Sequence, residues 1–99
     1  MKVFLDDERE APTGWYRAYW PDEVISLLKK EEVTHISLDH DLGDDLKGTG
    51  YDVITWIERE VFLNNYIPPE INIHTANPSA RKRMEAGVSR INIFAARKK

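Results

Sequence analysis

Residues 34–43 read THISLDHDLG. Ile36 and Leu38 fall on one side of an extended chain and His35 and Ser37 on the other, a period of two that predicts a strand over residues 34–39. The strand ends abruptly in Asp39-His40-Asp41 and runs into a loop at residues 43–50 (GDDLKGTG). Two other stretches repeat this plan. Residues 2–6 (KVFLD) form a short apolar run ended by Asp6-Asp7-Glu8, and residues 70–75 (EINIHT) lead into His74-Thr75-Ala76-Asn77.

Helical signals lie between these strands. Pro21 suits a first helical position, Asp22 and Glu23 suit the positive end of a helix dipole, and Val24, Ile25, Leu27 and Leu28 form an apolar stripe, predicting a helix through about Glu31. Thr49 with Asp52 three residues on is an Asp variant of the capping box, and Val53, Trp56, Ile57 and Val61 mark the buried side of the helix it opens. Asn64, Asn65, Pro68 and Pro69 end that helix. Asn77-Pro78 predicts a third helix start, with Gly87 expected as its left-handed stop and residues 91–94 (INIF) as a last edge strand. Residues 15–20 (WYRAYW) read as a short second strand whose bulky side chains cover the sheet rather than stack on a nucleobase.

Alternating strands and helices predict an α/β fold, a small open three-layer sandwich with a mainly parallel sheet, in one domain spanning residues 1–99. The first two strands are separated by about nine residues, too few for a usual crossover helix. Ser37, Asn72 and His74 interrupt what would otherwise be apolar strands, so one sheet face is expected to be thinly covered.

In an open parallel sheet, ligands bind outside the carboxyl ends of the strands, where the three reactive segments would converge. Asp6, Asp7, Asp39 and Asp41 gathered there would repel one another unless protonated or bridged by a cation. Oxygen donors without thiolates suit Mg²⁺, or Mn²⁺. The Asn77-Pro78 helix start brings amide groups and a positive dipole end to the same crevice, and Arg81, just inside it, is a candidate for phosphate oxygens. His74 and His40, beside the acids, are the candidate proton carriers. His35, at the opposite end of its strand, reads as structural. Residues 43–50 lack the GxxxxGK[ST] pattern of a nucleotide P-loop.

The formal charge of −3 conceals an uneven distribution: residues 1–60 hold 15 acids and 7 bases, residues 61–99 only 2 acids and 7 bases. The absence of cysteine excludes disulfides, thiolate zinc sites and a cysteine nucleophile, and a reduced, cytoplasmic setting is expected. With an apparent strand directly after Met1, no cleaved leader is expected, and no apolar run approaches the ~20 residues needed to span a bilayer.

VFLDDE at residues 3–8, SLDHDLG at 37–43 and IHTAN at 73–77 resemble the cyclic-phosphate-processing receiver-like family. The resemblance runs from Lys2 to about Gly87 and also takes in Pro12, Gly14-Trp15, Gly50-Tyr51-Asp52 and Trp56. It implies a receiver- or flavodoxin-like fold with a degenerate first helix and a reduced C-terminal strand and helix. It also implies a site acting on cyclic phosphates, either cyclic nucleotides or 2′,3′-cyclic RNA ends, in RNA-repair or phage-conflict settings. By position, Asp6 and Asp7 match the acidic pair that holds Mg²⁺ in receivers, Asp39 the phosphoacceptor, and Thr75 the hydroxyl residue after the fourth strand. The receiver lysine at the end of the fifth strand has no equivalent here. The expected partner is a small phosphorylated ligand or an RNA end, not DNA or a membrane. Two functions follow: a metal-dependent phosphoesterase, or a signalling module phosphorylated on Asp39, with passive phosphate-ligand binding as a third.

Overall fold

The computed structural model describes residues 1–40 and 48–97. Along the chain lie β1 (Lys2–Leu5), β2 (Tyr16–Ala18), α1 (Pro21–Lys30), β3 (His35–Leu38), α2 (Gly50–Asn64), β4 (Glu70–Ile73) and α3 (Pro78–Arg97). The four strands form one parallel sheet in the order β2-β1-β3-β4. This is the expected α/β architecture of a reduced receiver. Among the described residues, no helix is long and apolar enough to cross a membrane.

Local chemistry sets the helix ends. Pro21 opens α1, acids occupy its first turn, and Lys29 and Lys30 close it where the dipole favours cations. The Thr49–Asp52 capping box opens α2, and Asn65, at φ 54°, provides its left-handed C-cap. Asn77 Oδ1 accepts the Ala80 N–H at 3.1 Å and so opens α3.

Strand alternation sorts the sheet into two faces. Val3, Leu5, Ile36 and Leu38 join one buried cluster with Val24 and Leu28 of α1, Val53, Ile54, Ile57 and Val61 of α2, and Met84 and Ile91 of α3. All three helices therefore cover the same face, so the expected third layer is missing and the α/β fold has two layers, because no crossover helix joins β1 to β2. Phe4 and Ser37 belong to the alternate set and point to the other face, as Lys2, His35 and Asn72 do by register. No crossover helix joins β1 to β2, so this second face is covered by their connecting segment. Trp15 meets Phe4 edge-on at 6.4 Å and His35 at 6.3 Å between ring centroids, and the Lys2 ammonium lies 5.8 Å from the Trp15 ring.

Two expectations about the C-terminal region are corrected. Gly87 does not stop α3, and residues 91–94 are helical, not an edge strand. A Cβ at Gly87 would stand 2.6 Å from Ile54 Cγ2, so this glycine allows α3 to approach α2 closely rather than providing a left-handed cap. Met84, Gly87 and Ile91 are buried and Phe94 half-buried, a helical spacing of which residues 91–94 show only a fragment. The aromatic segment divides as well. Trp20 packs against the core, whereas Tyr16 and Tyr19 are exposed, so covering the sheet does not explain those two rings.

Candidate active site at the strand ends

The hydrogen-bond ladder continues one residue past each strand. Asp6 N–H donates to Ala18 O at 3.0 Å, Asp39 N–H to Leu5 O at 3.1 Å, and His74 N–H to Leu38 O at 3.0 Å. Asp6, Asp39 and His74 thus form one row, and one metal-ligating atom from each lies within 4.8 Å of the others.

Asp6 is the most enclosed, with 1% of its surface exposed. Its Oδ1 accepts the backbone N–H of Glu8 and of Arg9, each at 2.8 Å, and its Oδ2 accepts His74 Nε2–H at 3.1 Å. Burial alone would raise the carboxyl pKa, but the two backbone N–H groups and His74 outweigh it and hold the group below the usual carboxylate range. Asp6 is therefore ionised at neutral pH.

His74 carries its other ring nitrogen to Ser37, with Nδ1 2.7 Å from Oγ. Its ring lies flat against Phe4. Burial is the largest influence on its pKa and holds it below the ordinary imidazole range. The hydrogen bond and charge of Asp6 and the charge of Asp39 pull upward, and Arg9 pushes down with burial. A neutral ring that donates Nε2–H to an ionised Asp6 must accept at Nδ1, so Ser37 donates its hydroxyl. The hydrogen-bond network thus assigns the tautomer.

Three residues not singled out in the sequence complete this arrangement. Arg9 donates Nη1–H to the His74 carbonyl at 2.8 Å and lies 3.9 Å from Asp6 Oδ2, placing a cation beside the acids without the receiver lysine. Arg17 donates Nε–H to the Asp6 carbonyl at 3.2 Å. Ser37 registered in the sequence only as a polar break in an apolar strand. A signal was present, since a serine alternating with buried Ile36 and Leu38 shares a face with Phe4.

The remaining candidates are placed as follows. Asp39 is half-buried, and its Oδ1 accepts the His40 N–H at 2.8 Å. Asp7 and His40 are not members of the trio, and Asp41 lies outside the described residues. Thr75 is buried. Its Oγ1 accepts the Asn77 N–H at 3.2 Å, and its carbonyl accepts Arg81 Nη2–H at 3.2 Å. Arg81 also reaches Glu85 at 3.5 Å, so these three residues brace the start of α3 beside the trio. His35 pairs with Glu70 at 2.8 Å at the opposite sheet end. A groove of about 540 Å³, lined by Asn65, Tyr66, Pro68 and Ala95, also lies at that end, away from the acids.

The donor set fits a hard divalent cation. Asp6 and Asp39 offer carboxylate oxygens close together, and Mg²⁺ commonly takes one or two carboxylates and fills its remaining positions with water and phosphate. In the assigned tautomer the His74 lone pair faces Ser37, leaving oxygen as the available donor type.

A four-stranded parallel sheet with acids at its carboxyl edge and no first crossover helix defines a reduced receiver domain. The chain belongs to the cyclic-phosphate processing receiver domain family, whose model it matches over residues 1–90. No curated protein and no solved structure matches it.

Proposed function

We propose that this domain hydrolyses a cyclic phosphodiester at the strand ends, with Mg²⁺ or Mn²⁺ held by Asp6 and Asp39. The observation that carries the reading is the approach of Asp6, Asp39 and His74 to within 4.8 Å on three separate strands. Membership in a cyclic-phosphate processing family supports it. When bound, the ion supplies neutralising charge for the two acids and polarises a phosphoryl oxygen.

The residues of the chain supply the rest. Arg9, with its guanidinium beside Asp6 and half open to solvent, neutralises the phosphate. Arg81 and the amides at the start of α3, with Thr75 and Asn77, form the second positive pole. His74 is the acid–base residue rather than His40, because it belongs to the trio. Both its ring nitrogens are engaged, so protons reach it through Ser37. Ser37, hydrogen-bonded to Nδ1, is the group through which the ring takes up the proton that the attacking water loses. Asp6 on Nε2 stabilises the resulting imidazolium. The water oxygen bonds to phosphorus, one ring P–O bond breaks, and the leaving oxygen takes the proton back along the same route. The product is a phosphomonoester with the second ester oxygen freed as a hydroxyl on the same molecule. An accessible phosphate of this kind is presented by a small nucleotide or by an RNA end.

The test is hydrolysis of 2′,3′- and 3′,5′-cyclic nucleotides and of RNA cyclic ends with Mg²⁺. Ring opening that stops with EDTA and is lost in Asp39→Asn and His74→Ala supports the mechanism. Activity indifferent to EDTA, or surviving both substitutions, overturns it.

A second reading is phosphoryl transfer onto Asp39. The half-buried carboxylate at the end of β3, close to Asp6, favours it. Incubation with acetyl phosphate followed by intact-mass measurement decides: no added phosphate rejects it.

A further inference from the structure

Tyr19 follows Ala18, whose carbonyl accepts the Asp6 N–H, so it leaves the end of β2 beside Asp6. Register places Arg17 on the helix-free face with Phe4, and adjacent strands stand about 4.8 Å apart. The Arg17 guanidinium carbon lies 4.6 Å from the centre of the Tyr19 ring, while Arg17 Nε–H holds the Asp6 carbonyl. One side chain therefore connects the acid of the candidate site to an aromatic plane. The Tyr19 backbone is pinned from the other side, its N–H donating to Glu23 Oε1 at 3.1 Å. Even so, 44% of Tyr19 remains exposed, outside the core that takes in Trp20. The terminal guanidinium nitrogens of Arg17 have no hydrogen-bond partner among the described residues.

A guanidinium lying over a phenol ring that is left open to solvent can be extended by another flat ring. Aromatic platforms of this kind bind nucleobases through their π-faces, and an arginine fork reads acceptor atoms on a base edge. We propose that Tyr19 and Arg17 form a nucleobase subsite adjoining the phosphate site. The base stacks on the Tyr19–Arg17 pair, and the ribose bridges to the cyclic phosphate at Asp6, Asp39 and His74. The substrate class is then a nucleoside cyclic phosphate, free or at an RNA terminus, in preference to a cyclic phosphodiester without a base. This rests on the hydrolase reading for its phosphate half only.

The experiment compares kcat/KM for adenosine 2′,3′-cyclic phosphate, for a short RNA ending in a 2′,3′-cyclic phosphate and for glycerol 1,2-cyclic phosphate, in wild type and in Tyr19→Ala and Tyr19→Phe. Stacking of one base predicts that the nucleotide-to-glycerol ratio falls by roughly 5- to 100-fold in Tyr19→Ala and is largely restored in Tyr19→Phe. Preference for the mononucleotide or for the RNA then identifies the source of the nucleoside. The same ratio in wild type and Tyr19→Ala overturns the subsite. If wild type opens none of the three rings, the hydrolase reading fails, and the subsite is judged by NMR titration. Upfield shifts of the Tyr19 ring protons with the adenosine compound and not with the glycerol compound uphold it, and their absence overturns it.

Discussion

The His74 imidazole lies parallel to the Phe4 ring, with centroids 4.3 Å apart and planes within 2°. Phe4 is the outward-facing residue of a central strand, and its ring is one of the surfaces that keep water from His74. Replacing it with leucine removes the flat partner. Phe4→Leu is expected to lower stability by roughly 1–3 kcal/mol in urea unfolding. The His74 pKa should rise at the same time, since burial is the main force holding it down. NMR titration of the ring protons measures this, and an unmoved pKa in a folded variant would assign the desolvation to other groups.

The same depressed pKa predicts an acid-side loss of stability in metal-free buffer. His74 titrates below its unfolded value of about 6.5. Between those two values the unfolded chain binds more protons than the folded one, so stability is complete above pH 6.5 and falls as pH drops through the folded pKa. Asp6 adds a second loss in the same direction below about pH 4, because its folded pKa is also lowered. Urea midpoints between pH 7 and pH 5 should decline in wild type and flatten in His74→Gln. A wild-type curve that rises toward pH 5 would contradict the assignment of a neutral ring.

Ser37→Ala leaves the partly buried Nδ1 of His74 without its donor. The expected cost is about 1–2 kcal/mol. The ring should also lose its single tautomer, which nitrogen-15 shifts report directly. A variant that keeps both the stability and the tautomer would show that Asp6 alone fixes the ring.

Alanine normally stabilises a helix relative to glycine, yet two glycines here are expected to behave oppositely. At Gly87 the added carbon would sit 2.6 Å from Ile54 Cγ2, and the α2–α3 contact must open. At Gly50, the first residue of α2, it would collide with the backbone carbonyl of Asp39. Gly87→Ala should cost roughly 1–3 kcal/mol. Gly50→Ala should cost more and shift the amide resonances of Asp39 and His40, whereas Gly87→Ala should leave those amides in place.

Features with local causes were legible in the sequence. The Thr49–Asp52 box, the Asn77 cap and the acids ending β1 and β3 each follow from residues within a few positions of one another, and the parallel order then sets Asp6, Asp39 and His74 in a row. Non-local causes were not legible. Gly87 carries the same local signal whether it caps a helix or lets another helix approach, and only the position of Ile54 distinguishes the two. Arg9 matters because the β1–β2 segment folds back over the helix-free face, a path no periodicity encodes, and Ser37 matters because the register of β3 against β4 sets it beside His74.

The direct connection between β1 and β2 also bears on how the sheet assembles. Val3 pairs with Tyr16 on one side and with Ile36 on the other. Closing the second loop, more than twice as long as the first, costs about 0.6–1 kcal/mol more in chain entropy. Omitting a helix therefore shortens the conformational search at the strand that carries Asp6. The β1–β2 pair therefore requires the smaller ordering step of the two pairings that β1 makes.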